Sequence, residues 1–233
     1  MEEKQQDKNT FSQKPFVFGL LFAILLAILI GGLFVGYNKS SMSNPGIISY
    51  KNEPYLGDKD APVKIIEFGD YKCPACKGFN DTFFKQIDKE LIQTGKVQFF
   101  FFHHPFINVD SYRSAEFSES VYKVLGNDKF WEFHKKLYDA QPSDPEAENK
   151  DIYKKDYLMN LLSTMASKEE VDKVVQSYDK KEGKLASNED DALATQLGVT
   201  STPSLFVNGK MFLGRDMKDL RTRVDAAAKE EGK

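Results

Sequence analysis

Residues 63–102 read VKIIEFGDYKCPACKGFNDTFFKQIDKELIQTGKVQFFFF, and this stretch decides the fold. Val63 to Phe68 is β-branched and apolar, the composition of a buried strand. From Ala75 to about Thr94, Phe79, Phe83, Ile87 and Leu91 recur at every fourth position, which predicts an amphipathic helix. Gly95 stops it. Val97 to Phe102 is a second apolar strand, broken by His103-His104-Pro105. Strand, helix and strand in so short a stretch predict a parallel βαβ unit with a right-handed crossover. Cys73-Pro74-Ala75-Cys76 opens its helix.

Downstream, the pattern turns helical. Phe117, Val121 and Leu125 share one face, as do Phe130, Phe133 and Leu137. Tyr157, Leu161 and Met165 make a third stripe, and Val171, Val174 and Tyr178 a fourth. Gln141 to Lys150, with two prolines, is a polar loop between them. Leu185, Ala192 and Leu193 predict a further helix, capped at its C-terminus by Gly198. Strands return at Ser204 to Val207 and Met211 to Leu213, joined by Asn208-Gly209, a pair that tolerates the positive φ of a tight hairpin. A last helix, about Met217 to Lys229, carries Met217, Leu220 and Val224 on one side. The order βαβ, helical block, αββα is that of an α/β thioredoxin-like fold with a helical insertion at about 110–180.

The chain has 233 residues, enough for one domain of roughly 180 residues plus a leader. A net charge of −3 and no basic stripe give no reason to expect nucleic acid. Phe16 to Gly36 carries no charge, and about 21 residues at 1.5 Å rise reach roughly 31 Å, a bilayer's apolar thickness. A transmembrane anchor over 16–36 is therefore expected, preceded by a cytoplasmic segment 1–15. A cleaved signal peptide is the competing reading, although its apolar run is normally shorter and a small-x-small cleavage site is not cleanly present. Lys4, Lys8 and Lys14 precede the span while Lys39 and Lys51 follow it, which places the domain outside. Residues 37–54 form a linker, and 55–230 the folded domain.

The chain's 2 cysteines are Cys73 and Cys76, so the fold is not a disulfide scaffold. The pair is either redox chemistry or half of a metal site. Pro74 at the first helical position loses no needed N–H bond. Cys73 then faces unpaired N–H groups and the positive helix end, which favours its thiolate. Lys72 adds positive charge nearby. A pKa near 4.5 would stabilise the reduced form by about 3.4 kcal/mol at pH 7, or roughly 70 mV, making the disulfide an oxidant. Because Ala75 supplies no imidazole, the helix end is expected to carry most of that stabilisation. A zinc site would need His103 and His104, which as neighbours on an extended segment point to opposite faces. No metal or cofactor is expected at the cysteines. His134 falls on an apolar face, as a core histidine does. Asp144, Glu146, Glu148 and Asp151 are either a solvated loop or oxygen ligands for calcium. Thr202-Pro203 before an apolar strand is a strand start or a special turn, and spacing alone does not say whether its bond is cis.

Three stretches together resemble one family. Glu67-Phe68-x-Asp70-Tyr71-x-Cys73-Pro74-x-Cys76 is followed by Phe130-Trp131-x-Phe133-His134-x-x-Leu137-Tyr138, then by Gly198-Val199-x-x-Thr202-Pro203-Ser204-x-Phe206-Val207-Asn208-Gly209. They resemble the DsbA-like thiol–disulfide oxidoreductases, most of all the membrane-anchored BdbD-type proteins of Gram-positive bacteria, over about residues 55–230. The resemblance implies that Cys73 is the exposed nucleophile and Cys76 its buried partner. It implies a cis Pro203 against the sulfurs and a Thr202 backbone that pairs with substrate. Glu67 matches a buried carboxylate that relays protons to the second cysteine; by its residues alone it is equally a paired glutamate at a strand end. The resemblance further implies a monomer that oxidises reduced secreted or surface proteins and is itself reoxidised by a quinone-linked membrane partner resembling DsbB. The family's best-studied strong oxidant has histidine in the dipeptide where this chain has Ala75. An outward-facing reductase or isomerase, and a non-enzymatic tethered binding module, are the alternatives.

Overall fold

Phe99, Phe100, Phe101 and Phe102 follow one another in a single strand, which is workable only where both faces of a sheet are covered. The structure, a computed structural model, describes residues 47–231. Its sheet has five strands in the order β1-β3-β2-β4-β5. They are β1 Tyr55–Leu56, β2 Val63–Gly69, β3 Val97–His103, β4 Ser204–Val207 and β5 Lys210–Met211. Strands β2 and β3 run parallel with Ile65 opposite Phe99, as the βαβ pattern predicts, while β1, β4 and β5 pair antiparallel to their neighbours. The short β1 is not anticipated by periodicity, because two residues carry no period.

Successive side chains alternate between two cores. Ile65, Phe99, Phe101 and Val207 face one side, with the helical block and the C-terminal helix packed over them. Ile66, Phe68, Phe100, Phe102 and Phe206 face the other, under Ala194, Leu197 and Val199.

The helix expected from Ala75 to Thr94 is broken. It comprises α1 Pro74–Asp81, α2 Phe83–Ile87 and a π-helical turn Asp88–Ile92. The break falls at Thr82 (φ −128°, ψ −71°), whose hydroxyl donates to the Gly78 carbonyl at 2.7 Å. Such back-bonding competes with the helix ladder and bends it.

The helical block contains α3 Val109–Leu125, α4 Asn127–Asp139, a 3₁₀ turn Pro145–Asn149, α5 Lys155–Leu162 and α6 Lys168–Asp179. On α5 the buried stripe is Leu158 and Leu162, with Tyr157 exposed, so the expected Tyr157-Leu161-Met165 face is rotated by one residue. Helix α7, Lys184–Gln196, leads back to the sheet and α8, Met217–Glu231, closes it. The expected apolar face of α7 is also displaced: Leu185 is exposed, and Ser187, Asp190 and Ala194 are buried. At its end Gly198 (φ 72°) and Val199 donate to the Thr195 and Ala194 carbonyls, the Schellman arrangement. Asn208 and Gly209, at φ 44° and 73°, make the expected hairpin turn. Its second strand stops at Met211, and Leu213 is exposed.

This is a thioredoxin-like α/β fold with a helical insert. Among the described residues no helix is long and apolar enough to cross a membrane, and the span expected at 16–36 lies outside them.

Candidate active site

The cysteines sit where the sheet, the first helix and the loop before β4 converge. Cys73 is the N-cap of α1 (φ −75°, ψ 118°) and Pro74 occupies its first turn. The Cys73 N–H donates to the Asp70 carbonyl at 3.0 Å, and the Cys73 carbonyl accepts from the Lys77 N–H at 3.2 Å. The cysteines are unbridged. Cys76 is wholly buried, and Cys73, expected to be exposed, keeps 7% of its surface. The Thr202 loop covers it: the Cys73 thiol donates to the Thr202 carbonyl at 3.4 Å. The Thr202–Pro203 peptide is cis.

Three titratable groups here are pushed in different directions. The Cys73 thiol is lowered from 9.0 to about 6, first by a hydrogen bond from the Cys76 thiol, against the opposing effect of burial. The Thr202 side chain and the backbone N–H groups of Cys76 and Ala75 lower it further. The N–H groups of the helix end thus act on the sulfur together with the neighbouring thiol. Cys76 is raised well above its usual value, first by burial, then by Cys73 and Glu67. Glu67, on β2 and wholly buried, is raised well above the usual carboxylate range by burial and by Cys73. Neither Glu67 oxygen has a hydrogen-bond partner among the described residues. One acidic thiol, one reluctant thiol and one carboxyl favoured in its neutral form therefore act on one another electrostatically. That arrangement can exchange a disulfide at Cys73 and supply or remove a proton near Cys76.

Lys72 does not serve the cysteine. Its ammonium turns into the helical block, 3.5 Å from Asp110, and donates to the Ala147 and Lys150 carbonyls at 2.6 and 3.0 Å. It also lies over the Tyr153 ring. The chain before Cys73 is instead fixed by Asp70, which accepts from the N–H groups of Lys72, Phe106 and Ile107. Sequence reasoning passed over both anchoring roles. Asp70 stood within the quoted motif, and Lys72 carries no pattern that foretells burial.

His103 and His104 do not join the cysteines. His103 Nε2 lies 3.1 Å from Glu119, and His104 Nδ1 lies 2.7 Å from Asp191. The two rings diverge as neighbours on a strand do, so a zinc site with Cys73 and Cys76 is not assembled. One ligand atom each of His103, Glu119 and Asp190 lie within 4.8 Å of one another, a group able to hold a metal. It belongs to the interface of β3, α3 and α7, and Asp190 there also accepts the His103 N–H. Of the acidic loop, Asp144 pairs with Lys150 and Asp151 with Arg113.

His134 is buried between Tyr71 and Asn80, at 3.0 and 3.3 Å, and burial, reinforced by His103, lowers it to about 3. A neutral ring accepts from the Tyr71 hydroxyl and donates to Asn80, whose amide donates to the Cys76 carbonyl at 3.1 Å. The core histidine of the sequence reading therefore braces the inner wall of the cysteine helix.

Comparison with known proteins follows the same lines. The family model described as Thioredoxin matches residues 49–226. The chain is 32% identical to the probable disulfide bond formation protein D of Bacillus anthracis, over 94% of this chain and 99% of that one. It is 36% identical to the disulfide bond formation protein D of Bacillus subtilis, over 75% and 77% respectively. The crystal structure of oxidised BdbD from Bacillus subtilis superposes with a TM-score of 0.69 at 32% identity, covering 78% of this chain and 95% of that one. Wolbachia pipientis alpha-DsbA1, at 22% identity, 81% and 97% coverage and a TM-score of 0.65, shares the fold.

Proposed function

The chain belongs to the thioredoxin-fold family of DsbA- and BdbD-like proteins and is a thiol:disulfide oxidoreductase, and on that premise we propose that it is an extracytoplasmic oxidase. Its clients are reduced secreted or surface proteins, into which it introduces disulfides. Residues 16–36 hold it in the membrane as a single pass, and it acts as a monomer. A quinone-linked membrane protein resembling DsbB reoxidises it.

In the oxidising direction a client thiolate attacks the Cys73 sulfur. The Cys73–Cys76 bond breaks and its electron pair goes to Cys76, which takes a proton from Glu67. The client's second thiolate then attacks its own sulfur in the mixed disulfide, and Cys73 departs as a thiolate. Its acidity makes it the better leaving group. The backbone of Thr202, beside the Cys73 sulfur and held by Pro203, receives the client chain as an added strand.

The observation that carries this reading is the opposition between the two thiols: Cys73 is lowered to about 6 while Cys76 is raised. An acidity between those of thioredoxin, about 7, and DsbA, about 3.5, supports a potential between roughly −270 and −120 mV. Equilibration of the intact chain with glutathione tests it. A potential of about −230 mV or higher, clearly above that of thioredoxin, together with net oxidation of a reduced unfolded protein, is expected. A value near that of thioredoxin would replace the oxidase with a reductase.

A further inference from the structure

Helix α4 holds the cysteine turn on both sides, and His134 is the centre of that hold. The ring keeps 2% of its surface and is packed among those of Tyr71, Phe101, Phe130, Trp131 and Tyr138, with centroids 4.5 to 5.9 Å away. A polar ring in so apolar a place needs both nitrogens satisfied. The direction of its hydrogen bonds follows from the far end of the chain they form. The Cys76 carbonyl can only accept, so Asn80 turns its amide N–H to it, at 3.1 Å. The Asn80 oxygen then faces His134 Nε2 at 3.3 Å, and that nitrogen carries the proton. Nδ1 is left to accept from the Tyr71 hydroxyl at 3.0 Å. Two contacts run alongside: Gln141, just beyond α4, donates to the Tyr71 carbonyl at 2.9 Å, and Lys77 donates to the Tyr138 carbonyl at 3.0 Å. The chain is thus tied to α4 ahead of Cys73 and again behind Cys76.

We propose that His134 is a positioning residue for the exchange reaction: through Asn80 it holds the first turn of α1 in the arrangement in which Cys76 donates to the Cys73 sulfur. The path from His134 ends on the Cys76 carbonyl, and the same residue supplies, by its thiol and its N–H, two of the hydrogen bonds that favour the Cys73 thiolate. The titratable groups around the ring are Tyr71 from the loop after β2, His103 from β3 and Tyr138 from α4 itself. Burial, reinforced by His103, keeps the ring neutral, so it acts by direction and not by charge. The role rests on the reading of Cys73 as the acidic, attacking thiol.

The test follows alkylation of Cys73 against pH in the reduced intact chain and in His134→Leu, Asn80→Ala, their combination and Phe133→Leu. His134→Leu should raise the Cys73 midpoint from near 6 to about 7, slowing alkylation at pH 5 roughly tenfold. Asn80→Ala cuts the same chain from α1 and should do the same, and the double variant should move the midpoint no further, since both lie on one path. Phe133→Leu removes buried surface from the same helix, against Phe117 and away from the chain, and should leave the midpoint near 6. Should His134→Leu fail to fold, Asn80→Ala, at a partly exposed position, decides alone. A midpoint that stays at 6 or falls in Asn80→Ala would overturn the role, as would an equal rise in Phe133→Leu. Failure of the underlying reading shows separately, as a parent chain whose own midpoint lies near 9.

Discussion

Moving the reduced chain from pH 8 to pH 5 should erase most of the stability it gains from Cys73. The thiol sits at about 6 in the fold, against an ordinary value of 9.0 that the unfolded chain approaches. Because the folded value is the lower one, the stabilisation is complete above pH 9 and is lost as pH falls through 6. The two titration curves differ by about 2.7 kcal/mol at pH 8, about 1.4 at pH 7 and about 0.1 at pH 5. Solvent at the helix end screens part of this, leaving a change of about 2 kcal/mol between pH 8 and pH 5. Cys76 is raised and adds nothing in that window. The oxidised chain lacks the thiolate but keeps the surface carboxylates, so subtracting one form from the other leaves the thiol together with its coupling to Glu67. Urea unfolding of both forms, read by Trp131 fluorescence at pH 8, 7 and 5, makes the measurement. A gap between the forms that stays constant, or widens on acidification, refutes the reasoning.

Lys72→Met removes one of the two cations beside buried Asp110, leaving Arg113 at 2.7 Å, and should cost about 2 kcal/mol in chemical unfolding. The alkylation midpoint of Cys73 should stay near 6 in that variant, because the ammonium faces away from the sulfur. Gly69→Ala sets a methyl group against Phe101 and Tyr138 and should lower the thermal midpoint, the overpacking costing about 1–3 kcal/mol. Ser167→Ala deletes the capping box of α6 and should cost about 1 kcal/mol while leaving the rate of dithiol exchange unchanged.

What the sequence disclosed was set by where hydropathy alone decides burial. Strands β2 and β3 and the Asn208-Gly209 hairpin were legible because apolar runs and turn residues declare themselves locally. Helix α3 was less so, since its buried face includes Asp110, Ser111, Ser114 and Ser118, polar residues satisfied by caps and back-bonds. The displaced face of α7 has the same cause: Asp190 is buried to receive the His103 N–H, a partner 87 residues away. At the site, the cysteines and the Thr202–Pro203 step were visible as motifs. Their tuning was not, because it comes from one thiol against another and from a loop 129 residues distant. Lys72 shows the limit most plainly, as its position beside Cys73 in sequence suggested a charge that the fold directs elsewhere.

The most direct measurement is the alkylation rate of each sulfur in the reduced intact chain against pH, resolved by mass spectrometry of the two positions. The expected result is a Cys73 that reacts with a midpoint near pH 6 while Cys76 stays unmodified through pH 8. A Cys73 midpoint near 9, or a Cys76 that reacts first, would contradict it.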